Sequence, residues 1–205
     1  MRLALPLFLV FEGIDGCGKS TLCARLHEHY AGESLPAVLL REPTDGIWGR
    51  KIRDMLQGPE LPDAAEQVRL FLMDREHDVE NNILPAIRHK RMIFMDRYFY
   101  SNAAYQGAGG MSPEDILQEN LGRGFPLPHR VYLLDLPPQA ALDRVSARQG
   151  GSKHDLFEKT EFLQRVRDHY LAMADDRFCV IDARGPVEDI FNAVCADIER
   201  EFGTK

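Results

Sequence analysis

The sequence predicts an α/β fold in which a five-stranded parallel sheet carries helices on both faces. Short apolar runs alternate with longer amphipathic segments, which is the pattern of parallel strands joined by helical crossovers. The chain has 205 residues, of which 44% are hydrophobic, and this suits one domain with a continuous core. Because it contains no repeat, low-complexity tract or long linker, we expect residues 1–205 to form a single domain.

Each strand is predicted from a short run of aliphatic and aromatic residues, and each helix from the longer amphipathic run that follows it. Pro62 and Asp63 interrupt the chain just before the longest of these helices. In chain order the predicted elements are strand 7–11, helix 19–30, strand 37–41, helices 48–56 and 64–82, strand 91–96, helices 98–106 and 113–121, strand 130–136, helices 140–148 and 159–174, strand 178–182 and helix 187–202.

The charge of the chain restricts its partners. Lys and Arg number 25 against 32 Asp and Glu, so the net charge is −7. An acidic protein is poorly suited to coat a nucleic acid, and a polyphosphate ligand would have to be held by a few well-placed cations. The apolar start, residues 1–11, is interrupted by Pro6, is too short to span a bilayer and lacks a signal-peptide cleavage pattern. We therefore expect no nucleic acid or membrane partner and a cytoplasmic protein.

The cysteines are predicted to be reduced packing residues. None of the four forms a C-x-x-C pair or has a histidine at metal-ligand spacing. Free cysteine is among the most buried residue types, and apart from Cys17, which lies inside the motif described next, they fall in apolar stretches. The four are Cys17, Cys23, Cys179 and Cys195.

The strongest motif occupies residues 13–20, where GIDGCGKS matches G-x-x-x-x-G-K-[ST] in full. It lies between the first predicted strand and the first predicted helix, which is the context of a phosphate-binding loop (P-loop) and argues against a chance glycine-rich turn. In such a loop, backbone N–H groups and the helix N-terminus bind phosphate oxygens. Lys19 is expected to contact the β- and γ-phosphates of ATP, and the Ser20 hydroxyl to bind Mg²⁺. The predicted fold is therefore a three-layer P-loop NTPase sandwich.

Asp96 has two interpretations. It ends the apolar run 91–96, and an aspartate at the carboxyl end of a buried strand suits a ligand of Mg²⁺ or its bound water. Aspartate is also a frequent N-cap, so it could instead cap the helix predicted to begin at Tyr98. The complete P-loop favours metal binding, and one residue could do both.

Several arginines are placed where a phosphate could be held. Arg41, Arg53 and Arg97 lie at or after predicted strand ends, or on a helix expected to face the cleft, and Arg75 lies one turn from Phe71 on helix 64–82. Each alone is as readily a solvated surface residue, but their co-occurrence in an acidic chain favours phosphate binding. Phe71 and Arg75 suit stacking on a base and bonding to its edge; alternatively, Phe71 is a core residue and Arg75 folds back onto an acidic neighbour.

Several segments together resemble the thymidylate (dTMP) kinases, and they occur in the order and spacing of that family. The P-loop alone would not separate this family from many others, whereas the D-R-Y stretch with its downstream A-Y-Q-G is specific. The segments are residues 11–22, Arg41-Glu42-Pro43, LFLMDR at residues 70–75, Asp96-Arg97-Tyr98 with Ser101, and Ala104-Tyr105-Gln106-Gly107. The resemblance extends from about residue 7 to the last predicted strand.

The resemblance implies a pocket for dTMP. Phe71 would stack on thymine and Arg75 would donate to its carbonyl edge. Arg53 and Arg97 would bind the acceptor 5′-phosphate. Asp15 would contact the 3′-hydroxyl of the deoxyribose, and Tyr105 would lie under the sugar and disfavour a ribose. The remaining members of the implied set are Glu42, near the magnesium and the cations, and Ser101 and Gln106 in the base pocket.

The resemblance also implies an ATP site and a catalytic set. Arg144 would lie against the adenine, and Ser20 and Asp96 would hold Mg²⁺. The implied catalytic residues are Asp15, Lys19, Arg97 and Arg148. The implied ATP-binding residues are Gly13, Asp15, Gly16, Cys17, Gly18, Lys19, Ser20, Thr21 and Arg144. A homodimer through helices on one face of the sheet is implied as well.

Two departures from the family pattern bear on mechanism. Thr44-Asp45 replaces the Gly-Gly that commonly follows Glu-Pro, so a carboxylate lies close to the phosphates and either shifts the loop or is screened by an arginine. Gly16 stands where some members have an arginine, which directs the search for transition-state charge to a lid at about residues 149–157. Leu156 stands where lid arginine is usual, which leaves Arg148 and Lys153. Arg148 is the better candidate, because its planar fork can bridge two phosphate oxygens.

The leading hypothesis is ATP-dependent phosphorylation of dTMP to dTDP by direct in-line transfer, a step in dTTP synthesis. One alternative is a kinase for another nucleoside monophosphate or for a nucleoside, although a nucleoside would leave Arg53 and Arg97 without an acceptor phosphate. Another is a nucleotide-dependent switch protein, which would hydrolyse nucleotide independently of any monophosphate. A GTPase switch would also be expected to have an N-K-x-D segment, and the sequence has none.

Overall fold

The structure, a computed structural model, describes residues 2–33, 35–149 and 156–204. Its main sheet is formed by the five predicted strands, all parallel, in the order β3-β4-β2-β5-β6. The predicted α/β class with a five-stranded parallel sheet is therefore confirmed. The strands are β2 (Leu7–Glu12), β3 (Ala37–Arg41), β4 (Met92–Asp96), β5 (Arg130–Asp135) and β6 (Phe178–Asp182).

The helices pack in two groups, as right-handed crossovers require for this strand order. One group pairs α1 with α9, and the other contains α3, α5 and α8. The described helices are α1 (Lys19–Gly32), α2 (Ile47–Gln57), α3 (Ala64–Asp78), α4 (Leu84–Arg88), α5 (Phe99–Ala108), α6 (Pro113–Gly122), α7 (Pro138–Gln149), α8 (Leu156–Ala172) and α9 (Val187–Phe202).

Burial explains why the central strands could be predicted from the sequence. Every residue of β2 is buried, as is β4 up to Asp96, so both strands appear as unbroken apolar runs. Helix α1 buries Leu22, Leu26 and Tyr30, which recur at helical spacing and pack it onto the sheet. No described helix is long and apolar enough to cross a membrane.

The predicted helix 64–82 is wrong in one respect. It starts as expected, with the Asp63 carboxylate accepting the Glu66 N–H at 2.8 Å, but α3 ends at Asp78 and passes through a π-helical turn, Val79–Ile83, into α4. Pro85 lies in the first turn of α4 and has no N–H to donate backwards, so the regular α-helical pattern is broken just before it.

The two ends of the chain form a small element that the sequence analysis missed. Strand β1 (Arg2–Leu3) pairs antiparallel with β7 (Gly203–Thr204). Two-residue strands carry no periodicity, so sequence patterns do not reveal them.

The carboxyl ends of the parallel strands gather polar residues along one edge of the sheet. In the register of the strands, Asp96 stands beside Phe11 and Arg41, and Asp135 beside Asp182. Glu12, the last residue of β2, lies in the middle of this edge. Ligands of doubly wound sheets bind at such an edge, and the loop after β2 leads directly into it.

Candidate active site

The loop between β2 and α1 has the backbone of a phosphate cradle. Gly13 and Gly16 have φ angles of +138° and +89°, a region that L side chains rarely adopt. A Cβ on Gly13 would lie 2.6 Å from the Leu134 carbonyl oxygen, and one on Gly16 would lie 2.5 Å from that of Ala141. Glycine is therefore required twice, for the turn and for the close packing against β5 and α7.

Lys19 places a positive charge on the inner side of this loop. Its Nζ donates to the carbonyl oxygens of Gly13 and Ile14 at 2.9 and 3.0 Å. The same Nζ lies 3.6 Å from Cys17 Sγ, and the Cys17 side chain is buried, so any contact of Cys17 with a phosphate would come from its backbone. The cavity at this point has a volume of about 110 Å³ and is lined by Asp15, Gly16, Gly18, Lys19, Ser20, Thr21 and Arg97.

Ser20 and Asp96 meet directly, as a shared metal site requires. The Ser20 hydroxyl donates to Asp96 Oδ2, while Asp96 Oδ1 is buried and has no hydrogen-bond partner among the described residues. A hydroxyl beside an unpartnered carboxylate oxygen fits Mg²⁺, which takes oxygen ligands and keeps several waters. The described residues include no cluster of three or more metal-ligating side chains, so phosphate oxygens and water would complete the coordination.

The alternative role of Asp96 as the cap of the next helix is wrong. Helix α5 begins at Phe99, its N-cap residue is Tyr98, and no side chain in the cap position bonds to the helix. The Tyr98 and Ser101 N–H groups at this end donate instead to Glu12, the last residue of β2. The carboxylate of Asp96 is thus left free for a metal.

Arg97 lies at the junction of two cavities. Its guanidinium forms an ion pair with Asp15, donates to Ser101 Oγ at 2.9 Å and lies 5.1 Å from the centre of the Tyr105 ring. Of the described residues, Asp15 and Arg97 alone line both the P-loop cavity and the larger cavity beside it. Burial on its own would raise the pKa of Asp15, but the cations of Arg97 and Lys19 outweigh it and hold that pKa below its usual range.

The larger cavity has a volume of about 310 Å³ and suits a ring with a sugar. Phe71 forms one wall, and Asn102 and Gln106 line another. Asn102 is buried, and its Oδ1 has no partner among the described residues. The full lining is Asp15, Glu42, Pro43, Leu56, Phe71, Arg75, Arg97, Tyr98, Ser101, Asn102, Tyr105 and Gln106.

Arg75 unites the two interpretations that the sequence left open. It is 1% exposed and does fold onto an acidic neighbour, since Nε and Nη2 donate to Glu42 Oε2 at 3.0 and 2.5 Å. Its Nη1 donates to Asn120 Oδ1 at 2.7 Å, and the guanidinium still lines the cavity. Burial raises the pKa of the Glu42 carboxyl, and the contact with Arg75 opposes the rise. The ion pair fixes Arg75 in place while leaving it in the wall of the pocket.

Arg53 and Arg41 lie outside the lining of the 310 Å³ cavity and meet at Asp45. Arg53 donates to the Pro43 carbonyl at 3.0 Å, at the rim of the cavity, and its Nη2 lies 3.4 Å from Asp45 Oδ1. Arg41 donates to the same oxygen at 2.6 Å. The hydrogen bond and charge of Arg41, with help from Arg53, hold the pKa of Asp45 below its usual range. The extra carboxylate of this loop is therefore screened by two arginines.

A third cavity, on the far side of the P-loop, holds Arg144. Its volume is about 430 Å³, and Arg144 reaches it with Nη2 anchored on the Ala183 carbonyl at 2.9 Å. Apolar side chains and glycines form the rest of the wall, including Leu134, Gly185 and Val187. Such a wall suits a purine ring. Residues 150–155 of the predicted lid, with Lys153, lie outside the part of the chain that the structure describes, and so do the side chains of Arg148 and Leu156.

Three residues of the site were missed from the sequence. Glu12 and Tyr170 lie behind Arg97 and Ser101, and Asn102 lies in the cavity wall. Asn102 is adjacent to the recognised Ser101 and could have been found by following the inward face of α5. Tyr170 is 158 positions from its partner Glu12, and no local pattern signals that contact.

Asp78 is expected to make the free energy of unfolding depend on pH. It lines an open cavity of about 530 Å³ beside Ser20 and Asp96, is 1% exposed, and its Oδ2 has no partner among the described residues. Burial raises its pKa from 3.8 to about 6. Because the folded-state pKa is the higher one, the protonated form contributes stability below about pH 4 that is lost as pH rises through 6.

Asp78→Asn should therefore raise the free energy of unfolding at pH 8 by about 1–2 kcal/mol and change it by less than about 0.5 kcal/mol at pH 3.5. Urea denaturation at both pH values measures this, with the exposed Asp176→Asn as the matched control. Equal effects of Asp78→Asn at the two pH values would contradict the assignment.

Comparisons with known proteins point to a single family. A family model described as thymidylate kinase matches residues 11–194. A thymidylate kinase of Leptospira interrogans is 42% identical over 170 residues, covering 83% of this chain and 82% of that protein. The thymidylate kinase of Leptospira borgpetersenii is 39% identical over 206 residues, covering 98% and 100%. That of Xylella fastidiosa (strain Temecula1) is 39% identical over 188 residues, covering 91% and 88%.

Proposed function

The chain belongs to the thymidylate kinase family, and from that premise we propose that it transfers the γ-phosphate of ATP to the 5′-phosphate of dTMP, giving dTDP and ADP. The observation that carries the proposal is the pair of cavities joined at Asp15 and Arg97. One has a phosphate cradle, and the other is closed by an aromatic ring and polar groups. A donor phosphate and an acceptor phosphate would meet at the junction, as in-line transfer requires.

On the donor side, Gly13, Gly16 and Gly18 shape the loop whose N–H groups bind phosphate oxygens, and Lys19 neutralises them. Cys17, in the loop, and Thr21, in the first turn of α1, line the third cavity, on the side of the P-loop. The adenine would lie against Arg144 in the third cavity. Ser20 and Asp96 would hold Mg²⁺, which, when bound, supplies charge to the β- and γ-phosphate oxygens.

On the acceptor side, thymine offers one N–H between two carbonyl groups. Phe71 would stack on the ring, and Arg75 would donate to a carbonyl with an N–H that Glu42 and Asn120 leave available. The unpartnered Oδ1 of Asn102 is suited to accept the ring N–H. Gln106, bonded to Asn102 and Gln67 at 2.7 and 3.1 Å, fixes that orientation.

The sugar and phosphate would lie between the base pocket and the P-loop. Tyr105 Oη accepts the Asp15 N–H at 3.1 Å, so these two side chains form one surface for the deoxyribose. Arg97 would bind the 5′-phosphate, with Ser101 holding the guanidinium and Arg53 reaching in from the rim. In this arrangement, a ribose 2′-hydroxyl would crowd Tyr105.

Chemically, an oxygen of the dTMP phosphate attacks the γ-phosphorus, a new P–O bond forms, and the bond to the β–γ bridging oxygen breaks. No general base is needed, because the attacking oxygen is already an anion. Lys19, in the P-loop cavity, and Arg97, at the junction of the two cavities, would stabilise charge spread over the transferred group. Arg148 remains our sequence-based proposal for the additional cation. A single domain, a homodimer and a cytoplasmic location also remain proposals.

The test is an ADP-release assay with ATP–Mg²⁺ against dTMP, dUMP, UMP, CMP and AMP. We expect dTMP to be preferred over UMP, CMP and AMP by at least about 10³ in kcat/KM, and over dUMP by only about 10–100-fold, since one methyl group contributes little discrimination. Lys19→Met protein purified in the same way controls for contaminating kinases. A rate of ADP release that none of the five nucleotides increases would disprove a monophosphate kinase. A preference for a ribonucleotide would disprove the thymidylate assignment.

A further inference from the structure

A buried carboxylate that the transfer chemistry does not use lies directly behind Arg97. Glu12, the last residue of β2, is 0% exposed and has no arginine or lysine in hydrogen-bond contact among the described residues. All of its described partners are N–H and O–H donors. Oε1 accepts from the N–H groups of Tyr98 and Ser101 at 2.8 and 3.2 Å, and Oε2 accepts from the Ser101 and Tyr170 hydroxyls at 2.6 and 2.9 Å.

The two N–H groups belong to the beginning of α5, where a helix has few acceptors of its own for its amides. The Ser101 N–H is shared with the Tyr98 carbonyl at 3.0 Å, whereas Glu12 is the one described acceptor of the Tyr98 N–H. The N-cap residue Tyr98 has no side-chain oxygen near enough to bind them. Glu12, from a neighbouring strand, is the acceptor of the Tyr98 N–H and a second acceptor of the Ser101 N–H, and its negative charge also suits the positive end of the helix dipole. An N-cap normally comes from the residue beside the helix, whereas this one is 86 positions away in sequence.

Arg97 is the residue just before the segment that Glu12 holds. Its φ of +69° is unusual for a residue with a side chain, so its conformation persists only if the surrounding structure enforces it. The Arg97 N–H donates to the Phe11 carbonyl at 3.0 Å, which fixes one side of the residue, and Glu12 holds Tyr98 on the other. Ser101 then connects the Glu12 carboxylate to the Arg97 guanidinium through a single hydroxyl.

We propose that Glu12 is a positioning residue for the acceptor site, capping α5 from the neighbouring strand and thereby holding Arg97 in the orientation that binds the acceptor phosphate. Tyr170 connects the same carboxylate to α8, and one turn earlier Arg167 bonds both oxygens of Asp135, at 2.6 and 2.8 Å. Helix α8 is thus docked on the ends of β2 and β5, and its position is coupled to that of Arg97 through Glu12.

This inference rests on the proposed function for the assignment of Arg97 to dTMP, and two variants separate its parts. Glu12→Ala removes the acceptor of the Tyr98 amide and one of the two acceptors of the Ser101 amide. Glu12→Gln keeps one oxygen for the amides and removes the charge, and its NH₂ group can donate to hydroxyls that rotate. The matched control is Asp197→Asn. Asp197 is a buried carboxylate on α9, and it is bound by Arg130 and Tyr132 of β5, at the end of that strand away from Glu12.

We expect Glu12→Ala to raise KM for dTMP by at least about tenfold and to change KM for ATP by less than about threefold. It should accelerate hydrogen exchange at the Tyr98 amide by at least about tenfold, and at the Ser101 amide by less, because that amide keeps the Tyr98 carbonyl. Glu12→Gln should restore much of the amide protection and lie between wild type and Glu12→Ala in KM for dTMP. Asp197→Asn should change neither the exchange of these amides nor the ratio of the two KM values.

Parallel loss of ATP and dTMP affinity, or unchanged exchange at the two amides in both Glu12 variants, would overturn the proposal. If Glu12→Ala does not fold, Glu12→Gln decides alone, because a normal KM for dTMP in that variant with faster amide exchange would separate the cap from Arg97. Amide exchange does not depend on turnover. A wild-type protein that fails to phosphorylate dTMP would therefore refute the proposed function while the capping role is still tested.

Discussion

Lys19→Met should lower kcat by about 10³ and leave the protein folded. Methionine keeps the apolar length of the side chain and removes only the ammonium, which donates to the carbonyl oxygens of Gly13 and Ile14 and faces the P-loop cavity. Lys19 as a whole is 5% exposed, so its interaction with phosphate oxygens is only weakly screened by water. Steady-state kinetics with saturating dTMP and varied ATP–Mg²⁺ measures the loss.

The matched control is Lys51→Met, which removes an exposed lysine whose ammonium lies over the Trp48 ring. We expect its kcat to stay within about twofold of wild type, since surface substitutions away from a site have small effects. Thermal unfolding of both variants excludes a trivial loss of structure. A Lys19→Met enzyme that keeps a tenth of the wild-type kcat would show that the P-loop charge is supplied by another residue.

The strands of this fold were predictable because they are buried on both faces or end at a polar residue. β2 and β4 are apolar up to their last residues, Glu12 and Asp96, so both the strands and the positions where they end follow from the pattern. The break in helix 64–82 was not predictable to the residue, because Pro85 indicates only the region where the regular helix is interrupted, and not the bounds of the turn at Val79–Ile83.

The site, too, has a part that the sequence predicts and a part that it does not. The P-loop is contiguous in sequence, and its geometry follows from three glycines and a lysine between a strand and a helix. The loop after β3 could not be interpreted from the sequence alone. Whether Asp45 would disturb the phosphate region depended on neighbours that only the fold identifies. Arg41 and Arg53 screen it, while Asp74 on α3 binds the Thr44 N–H and hydroxyl at 2.8 and 2.6 Å and fixes the loop.

Arg97→Ala should lower kcat/KM for dTMP by about 10³. Arg97 donates to Ser101 and pairs with Asp15, and it is one of the two described residues shared by the donor and acceptor cavities. It can therefore bind the acceptor phosphate in the ground state and the transferred group in the transition state. Arg97→Lys should retain no more than about a tenth of the activity, because an ammonium cannot reproduce the planar fork that reaches two partners.

Arg97→Gly separates the side chain from the backbone. Because Arg97 has a φ of +69°, alanine keeps the strained conformation, whereas glycine adopts it freely. Arg97→Gly should thus unfold at a higher temperature than Arg97→Ala, by an amount equivalent to about 1 kcal/mol, and should be equally inactive. Arg123→Ala, which removes a surface arginine paired with Glu119, is the control for a lost guanidinium. If Arg97→Ala kept kcat/KM within fivefold of wild type while Arg97→Gly was the more stable variant, the strain would be real and the phosphate role would belong to Arg53.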